Sequence, residues 1–174
     1  MKVVDETVDV DQLIAAIKQG ISAAGLSFTT RDRDLRILTI ELKLEVVAES
    51  FQGGSLRFRL PIIGFEGKGG GGVTSRNMHT ITLVLQPREK SAVLGVRAGE
   101  DVVKAIVDAV KTVRQTVHLA EGGADPWILR SAKVDIKFGV TAEGSISLGL
   151  DSTKSLEHVN TLTIDIEPIG QPGS

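Results

Sequence analysis

The residues of this chain best suited to chemistry are few, and their spacing serves no common reaction. Its three histidines, His79, His118 and His158, fall on separate segments. No pair has the i,i+4 spacing with which one helix face holds a metal, so no metal site is expected. The run Gly64-Phe65-Glu66-Gly67-Lys68-Gly69-Gly70-Gly71-Gly72 has the glycine content of a phosphate-cradling loop but not its grammar. Gly69 follows Gly67-Lys68 where Ser or Thr is needed, and Ile62 stands where the first glycine belongs. The segment also joins two predicted strands, whereas a phosphate loop opens a helix. A glycine-rich hairpin connection is expected, with Lys68 and Arg76 as flanking charges. Arg57 and Arg59 lie two apart in Leu56-Arg57-Phe58-Arg59-Leu60 and so share a strand face. With Arg36 they form a candidate anion-facing patch. The carboxylates Glu41, Glu45, Asp135 and Asp165 fall on predicted wet strand positions, where solvation explains them without acid–base work. The run Arg31-Asp32-Arg33-Asp34-Leu35-Arg36 alternates in sign and is expected to pair locally. Trp127, after Pro126, is expected to anchor a loop.

Composition narrows the classes further. The 174 residues carry 20 Lys+Arg against 22 Asp+Glu, and neither half is a charged arm. That balance argues against a nucleic-acid binder. There is no cysteine, which removes disulfides and thiol catalysis. No Gly-x-Ser-x-Gly elbow frames a hydrolase nucleophile. No apolar run approaches the roughly 20 residues of a membrane span, and Met1-Lys2-Val3-Val4-Asp5-Glu6 lacks an apolar h-region, so no signal peptide is expected. A cytoplasmic, cofactor-free protein with no nucleic-acid or membrane partner is expected.

The elements that must position these residues follow from periodicity. A helix is predicted from about Asp9 to Ala24, with Leu13, Ile14, Ile17 and Ile21 as its apolar stripe. Asp9 and Gln12 have the spacing of a capping box, and Gly25 is a fitting stop. Period two then takes over. Leu38, Ile40, Leu42, Leu44 and Val46 alternate with polar residues, as expected of a strand buried on one face. Leu56–Leu60 and a third strand with Ile81, Leu83 and Leu85 follow. Val3, Val4, Val8 and Val10 suggest a brief edge pairing near the start. A second helix is predicted from about Glu100 to Leu119, with Val103, Ile106, Val110, Val113 and Val117 as its stripe.

The same order then returns. Ile40–Val46 lines up with Val134–Val140, Leu56–Leu60 with Ile146–Leu150, and Thr80–Pro87 with Thr161–Pro168. The expected fold is therefore α+β, built of two repeats in residues 1–90 and 91–174. Each repeat is one amphipathic helix packed on a three-stranded antiparallel β-meander. Such small units need mutual support, so a pseudo-symmetric pair is expected.

Residues 11–87 resemble trypsin-co-occurring domain 2. The likeness runs through Asp11-Gln12-Leu13-Ile14-Ala15-Ala16-Ile17, Ile40-Glu41-Leu42-Lys43-Leu44-Glu45-Val46, Gly53-Gly54-Ser55-Leu56-Arg57-Phe58-Arg59-Leu60 and His79–Pro87. Residues 100–168 look like a second, diverged copy, and Val134–Val140 is also similar to the related trypsin-co-occurring domain 1. The resemblance implies a non-catalytic adaptor or sensor module, found beside trypsin-like peptidases and other effectors in bacterial conflict or signalling systems. It supplies no catalytic residues. A protein-interaction module with an effector or peptidase partner, and self-association through sheet edges, is the leading expectation. The alternative is a small-ligand or anion sensor using the glycine loop with Arg57, Arg59, Lys68 and Arg76.

Overall fold

A computed structural model of the protein describes residues 1–4, 6–27, 30–50, 56–63, 78–87, 100–122, 124–148 and 159–169. Among the described residues the fold is α+β: two helices and an eight-stranded antiparallel sheet. Strands β1 (Val3–Val4) and β2 (Thr7–Asp9) form a short antiparallel pair that leads directly into helix α1 (Val10–Ala23). Then come β3 (Leu35–Ser50), β4 (Leu56–Pro61) and β5 (Met78–Leu85). Helix α2 (Glu100–Glu121), β6 (Ala132–Val140), β7 (Ile146–Leu148) and β8 (Asn160–Pro168) complete the chain.

Helix α1 ends as its glycine predicts. Gly25 takes φ +72°, the left-handed conformation that glycine adopts without steric cost. The Leu26 N–H then reaches the Ile21 carbonyl and the Gly25 N–H that of Ser22, the paired bonds of a Schellman stop. The other end departs from expectation. Asp9 sits at the N-cap in extended conformation, but its side chain caps nothing. As the last residue of β2 it lies opposite Arg59 of β4, and its carboxylate turns to that guanidinium at 3.5 Å. Gln12 instead accepts the Lys2 N–H at 2.7 Å. A cross-strand charge displaces the capping box, because a guanidinium is a stronger partner for a carboxylate than a backbone N–H.

The expected meander order is corrected. In a meander the second strand lies centrally; here the first strand of each set does. β3 takes β5 along one edge, from Ile40 to Val47, and on its other edge takes first β8 and then β4. In the second half β6 lies between β7 and β8. The two halves meet on β3. β3 pairs with β8 from Leu35 to Lys43, so one sheet runs through both. The sheet curls until its ends meet: Ile62 bridges Val140, and the Met1 nitrogen donates to the Gly144 carbonyl at 2.8 Å.

The curl gives the sheet an inner face, and one core fills it. Leu13, Ala16 and Ile17 of α1 pack with Val102, Ile106 and Val110 of α2 and with Leu42, Leu44, Val46, Phe138, Leu162, Ile164 and Ile166 of the strands. The helices also pack on each other, and Gly20 is what lets them approach. A Cβ there would stand 2.6 Å from Ile106 Cδ1 and 3.3 Å from Val103 Cα. In α2 the most buried line is Val102, Ile106 and Val110, one residue off the predicted start at Val103.

Leu38 does not join the inner face with Ile40, Leu42, Leu44 and Val46; it is 40% exposed. The register against β8 slips between Ile37 and Thr39, so Leu38 is the extra residue of a bulge. The bulge lets Leu35 and Ile37 face inward before it and Ile40 after it.

Candidate functional site

The arginine patch is only partly assembled. Arg57 and Arg59 do share a side of β4, and Arg57 is exposed. Arg59 is buried beside Asp9. Arg36 is not near them. It lies 13 positions from Glu49, the β3 residue opposite Arg57, or about 40 Å along the strand. It pairs there with Glu167 of β8. Lys68 and Arg76, with the whole glycine run, lie outside the described residues.

The outer face of the sheet is more organised. Register sets Val84, Glu41, Thr163 and Asp135 in one row across β5, β3, β8 and β6, and Thr82, Lys43, Thr161 and Lys137 in the next. Side chains along the face bond one another. The Thr163 hydroxyl donates to Asp135 at 2.5 Å, and the Thr39 hydroxyl to Asp165 at 2.6 Å, with Lys133 at 3.8 Å from the same carboxylate. An acidic row therefore adjoins a basic one, and Asp135 and Asp165 are each bonded by a threonine of the neighbouring strand. Among the described residues no group of three or more His, Asp or Glu is placed to hold a metal ion.

The charge run before β3 does not pair only locally, and this is the contact that sequence reasoning missed. Arg114 of α2 grips Asp34 with two parallel bonds, Nε to Oδ2 at 2.8 Å and Nη2 to Oδ1 at 2.7 Å. Its Nη1 donates at 2.9 Å to the Ala24 carbonyl, at the end of α1. One guanidinium thus ties both helices to the start of β3. The hydrogen bonds from Arg114 hold the Asp34 carboxyl below its ordinary value, and Asp34 in turn raises Arg114. A bidentate pair separated by 80 residues leaves no local signal beyond an arginine one turn past Val110 on the buried line of a helix.

His79 of β5 and His118 of α2 are exposed, and His158 lies outside the described residues. Trp127 is 73% exposed, which corrects its expected role as a side-chain anchor. The tie is instead made by its backbone, whose N–H bonds the Ala120 carbonyl at 2.7 Å. A small void between the helices and β6–β7, bordered by Leu13, Val102, Phe138, Ile146 and Leu162, is wholly apolar in lining. Apolar voids of this kind reflect packing and offer no anchor for a polar ligand.

Strand β5 completes the picture. It pairs with β3 alone, and its other edge meets no strand among the described residues. Val84, on its outer face, is 62% exposed. The arrangement as a whole offers surfaces for another polypeptide: a neutral strand edge and a charge-patterned face.

With that geometry in view, comparison with known proteins is informative. Residues 8–87 match the model of the family named trypsin-co-occurring domain 2. The matched segment runs from within β2 through α1, β3, β4 and β5 and ends two residues beyond β5. The match supports a domain of this type in the N-terminal half. No curated protein and no solved structure matches the chain. No helix among the described residues is long and apolar enough to cross a membrane.

Proposed function

We propose that the protein is a non-catalytic interaction module, an adaptor for a trypsin-like peptidase or a comparable effector in a bacterial conflict or signalling system of the cytoplasm. The match of residues 8–87 to a family named for co-occurrence with trypsin carries this reading. The exposed β5 edge and the patterned outer face support it, since β-sheet edges recruit extended polypeptide through backbone bonds. The non-catalytic part rests on a sequence without cysteine or a nucleophile elbow. The C-terminal half is, on this reading, a diverged second copy of the first. Its support is the sequence alignment together with the shared order in which β3 and β6 each lie between two antiparallel neighbours.

The test is direct. The chain is mixed with the trypsin-like peptidase encoded nearest to it, and the mixture is passed over a sizing column with light scattering. A complex with the summed mass supports an adaptor. Two separately eluting species, with peptidase turnover unchanged by the chain, overturn it.

A further inference from the structure

Sheets defend their open edges, and among the described residues β5 is the longest stretch of edge in this sheet without a guard. β1 and β7 are two and three residues long, too short to template a partner. Residues 132–137 of β6 have no partner on their outer side among the described residues, but Lys133, Asp135 and Lys137 guard them. Residues 35–39 of β3, open on the β5 side, carry Arg36 and the bulge at Leu38. Strand β5 is Met78-His79-Thr80-Ile81-Thr82-Leu83-Val84-Leu85: eight residues with no Lys, Arg, Asp, Glu or Pro, and an unbroken register against β3.

We propose that β5 pairs with β5 of a second copy, antiparallel across a two-fold axis at Thr82, joining two sheets into one. This deepens the interaction-module reading and rests on it only in taking the protein to act through sheet edges. The choice of a second copy follows from the sequence of the edge. A two-fold antiparallel pair keeps inner faces together only if the axis passes through a residue, because side chains alternate. Centred on Thr82, Ile81 meets Leu83 of the other copy and Leu83 meets Ile81 on the inner side, while Val84 meets Thr80 on the outer side. These are aliphatic and β-branched pairs of the kind that stabilise sheets.

Charge raises no objection. In the row through Thr82 the nearest charge is Lys43 on β3 of each copy. These two lysines would lie three strand spacings apart, about 14 Å. That exceeds the Debye length of roughly 8 Å at physiological salt, so their repulsion is screened. The inner side chains gain as well, because Ile81 and Leu83 are only partly buried within one copy.

The chain has no cysteine, so a single introduced thiol reports unambiguously. Opposite residues of an antiparallel pair have Cα atoms about 4.5–5.5 Å apart, within disulfide reach. Full-length Thr82→Cys under mild oxidation is expected to give a covalent dimer, and Lys43→Cys, one strand inward, is not. Light scattering over a concentration series is expected to show a dimer for the parent chain. Thr82→Lys is expected to raise its dissociation constant at least tenfold with an unchanged circular dichroism spectrum, since Thr82 is exposed. A strict monomer overturns the proposal, as does a dimer that survives Thr82→Lys while Thr82→Cys fails to cross-link. Measuring peptidase binding on the same samples separates the two readings. A monomer that binds peptidase removes only β5 self-pairing, and a β5 dimer that binds none removes only the adaptor role.

Discussion

The close crossing of the two helices at Gly20 gives the sharpest stability prediction. Replacing this buried glycine by alanine brings two opposing effects. Alanine is the better helix former, by about 0.5–1 kcal/mol. The new Cβ, however, would stand 2.6 Å from Ile106 Cδ1, 3.2 Å from Ile106 Cβ and 3.3 Å from Val103 Cα. The δ-methyl can swing, but the other two atoms move only with the α2 backbone. Overpacking of this sort costs about 1–3 kcal/mol. The steric cost is the larger, so Gly20→Ala is expected to destabilise by about 1–2 kcal/mol. That lowers the melting midpoint by roughly 2–8 °C in a chain of this size. Urea unfolding followed by circular dichroism at the helical band measures it. Ile106→Val removes the nearest atom and alone costs about 0.5–1.5 kcal/mol. In the Gly20→Ala background it should cost clearly less, a coupling of about 1 kcal/mol. Gly122 is the control, because a Cβ there meets only ordinary contacts at 3.7 Å, and Gly122→Ala should be nearly neutral. A Gly20→Ala protein as stable as the parent would refute the close crossing.

Three further substitutions probe the ties that hold the sheet's ends and the helices. Asp34 is held below its ordinary value of 3.8 by Arg114. A depressed folded value means that its contribution is present above the unfolded value and is lost as pH falls through the folded one. Both side chains are partly solvated, so Asp34→Asn should cost only about 0.5–1 kcal/mol at neutral pH. Its stability curve should converge on the parent's as pH falls below the ordinary carboxylate value, in urea titrations run at successive pH values. Arg114→Lys should cost at least as much there, since an ammonium cannot make the two parallel bonds and also reach the Ala24 carbonyl. Gly144 takes φ +75°, and a Cβ there would collide with the Met1 carbonyl. Gly144→Ala should therefore destabilise by about 1–3 kcal/mol and speed hydrogen exchange in β1 and β7.

The local elements were legible because each has a local cause. Leu13 and Ile17 set the helical stripe of α1, Gly25 its stop, and the alternation through Ile40–Val46 the core of β3. The candidate site was less so. Arg57 and Arg59 fall on one side of β4 as alternation requires, but which of them is buried depends on Asp9, which only the β2–β4 pairing brings opposite. Leu38 misleads in the same way. Its position fits the period-two face, and only the register with β8, more than 120 residues away, makes it a bulge.

By itself, then, the sequence determined the type and order of the elements and an N-terminal segment of recognisable family, because periodicity, turn chemistry and motif are properties of neighbouring residues. Tertiary structure decided the rest. It placed β3 and β6 centrally, ran one sheet through both halves, joined Asp34 to Arg114 and left one edge of β5 without a strand among the described residues. Each of these depends on which distant strand or helix satisfies a given backbone edge or charge. That choice is settled by burying a single core common to all the elements, and no local pattern encodes it.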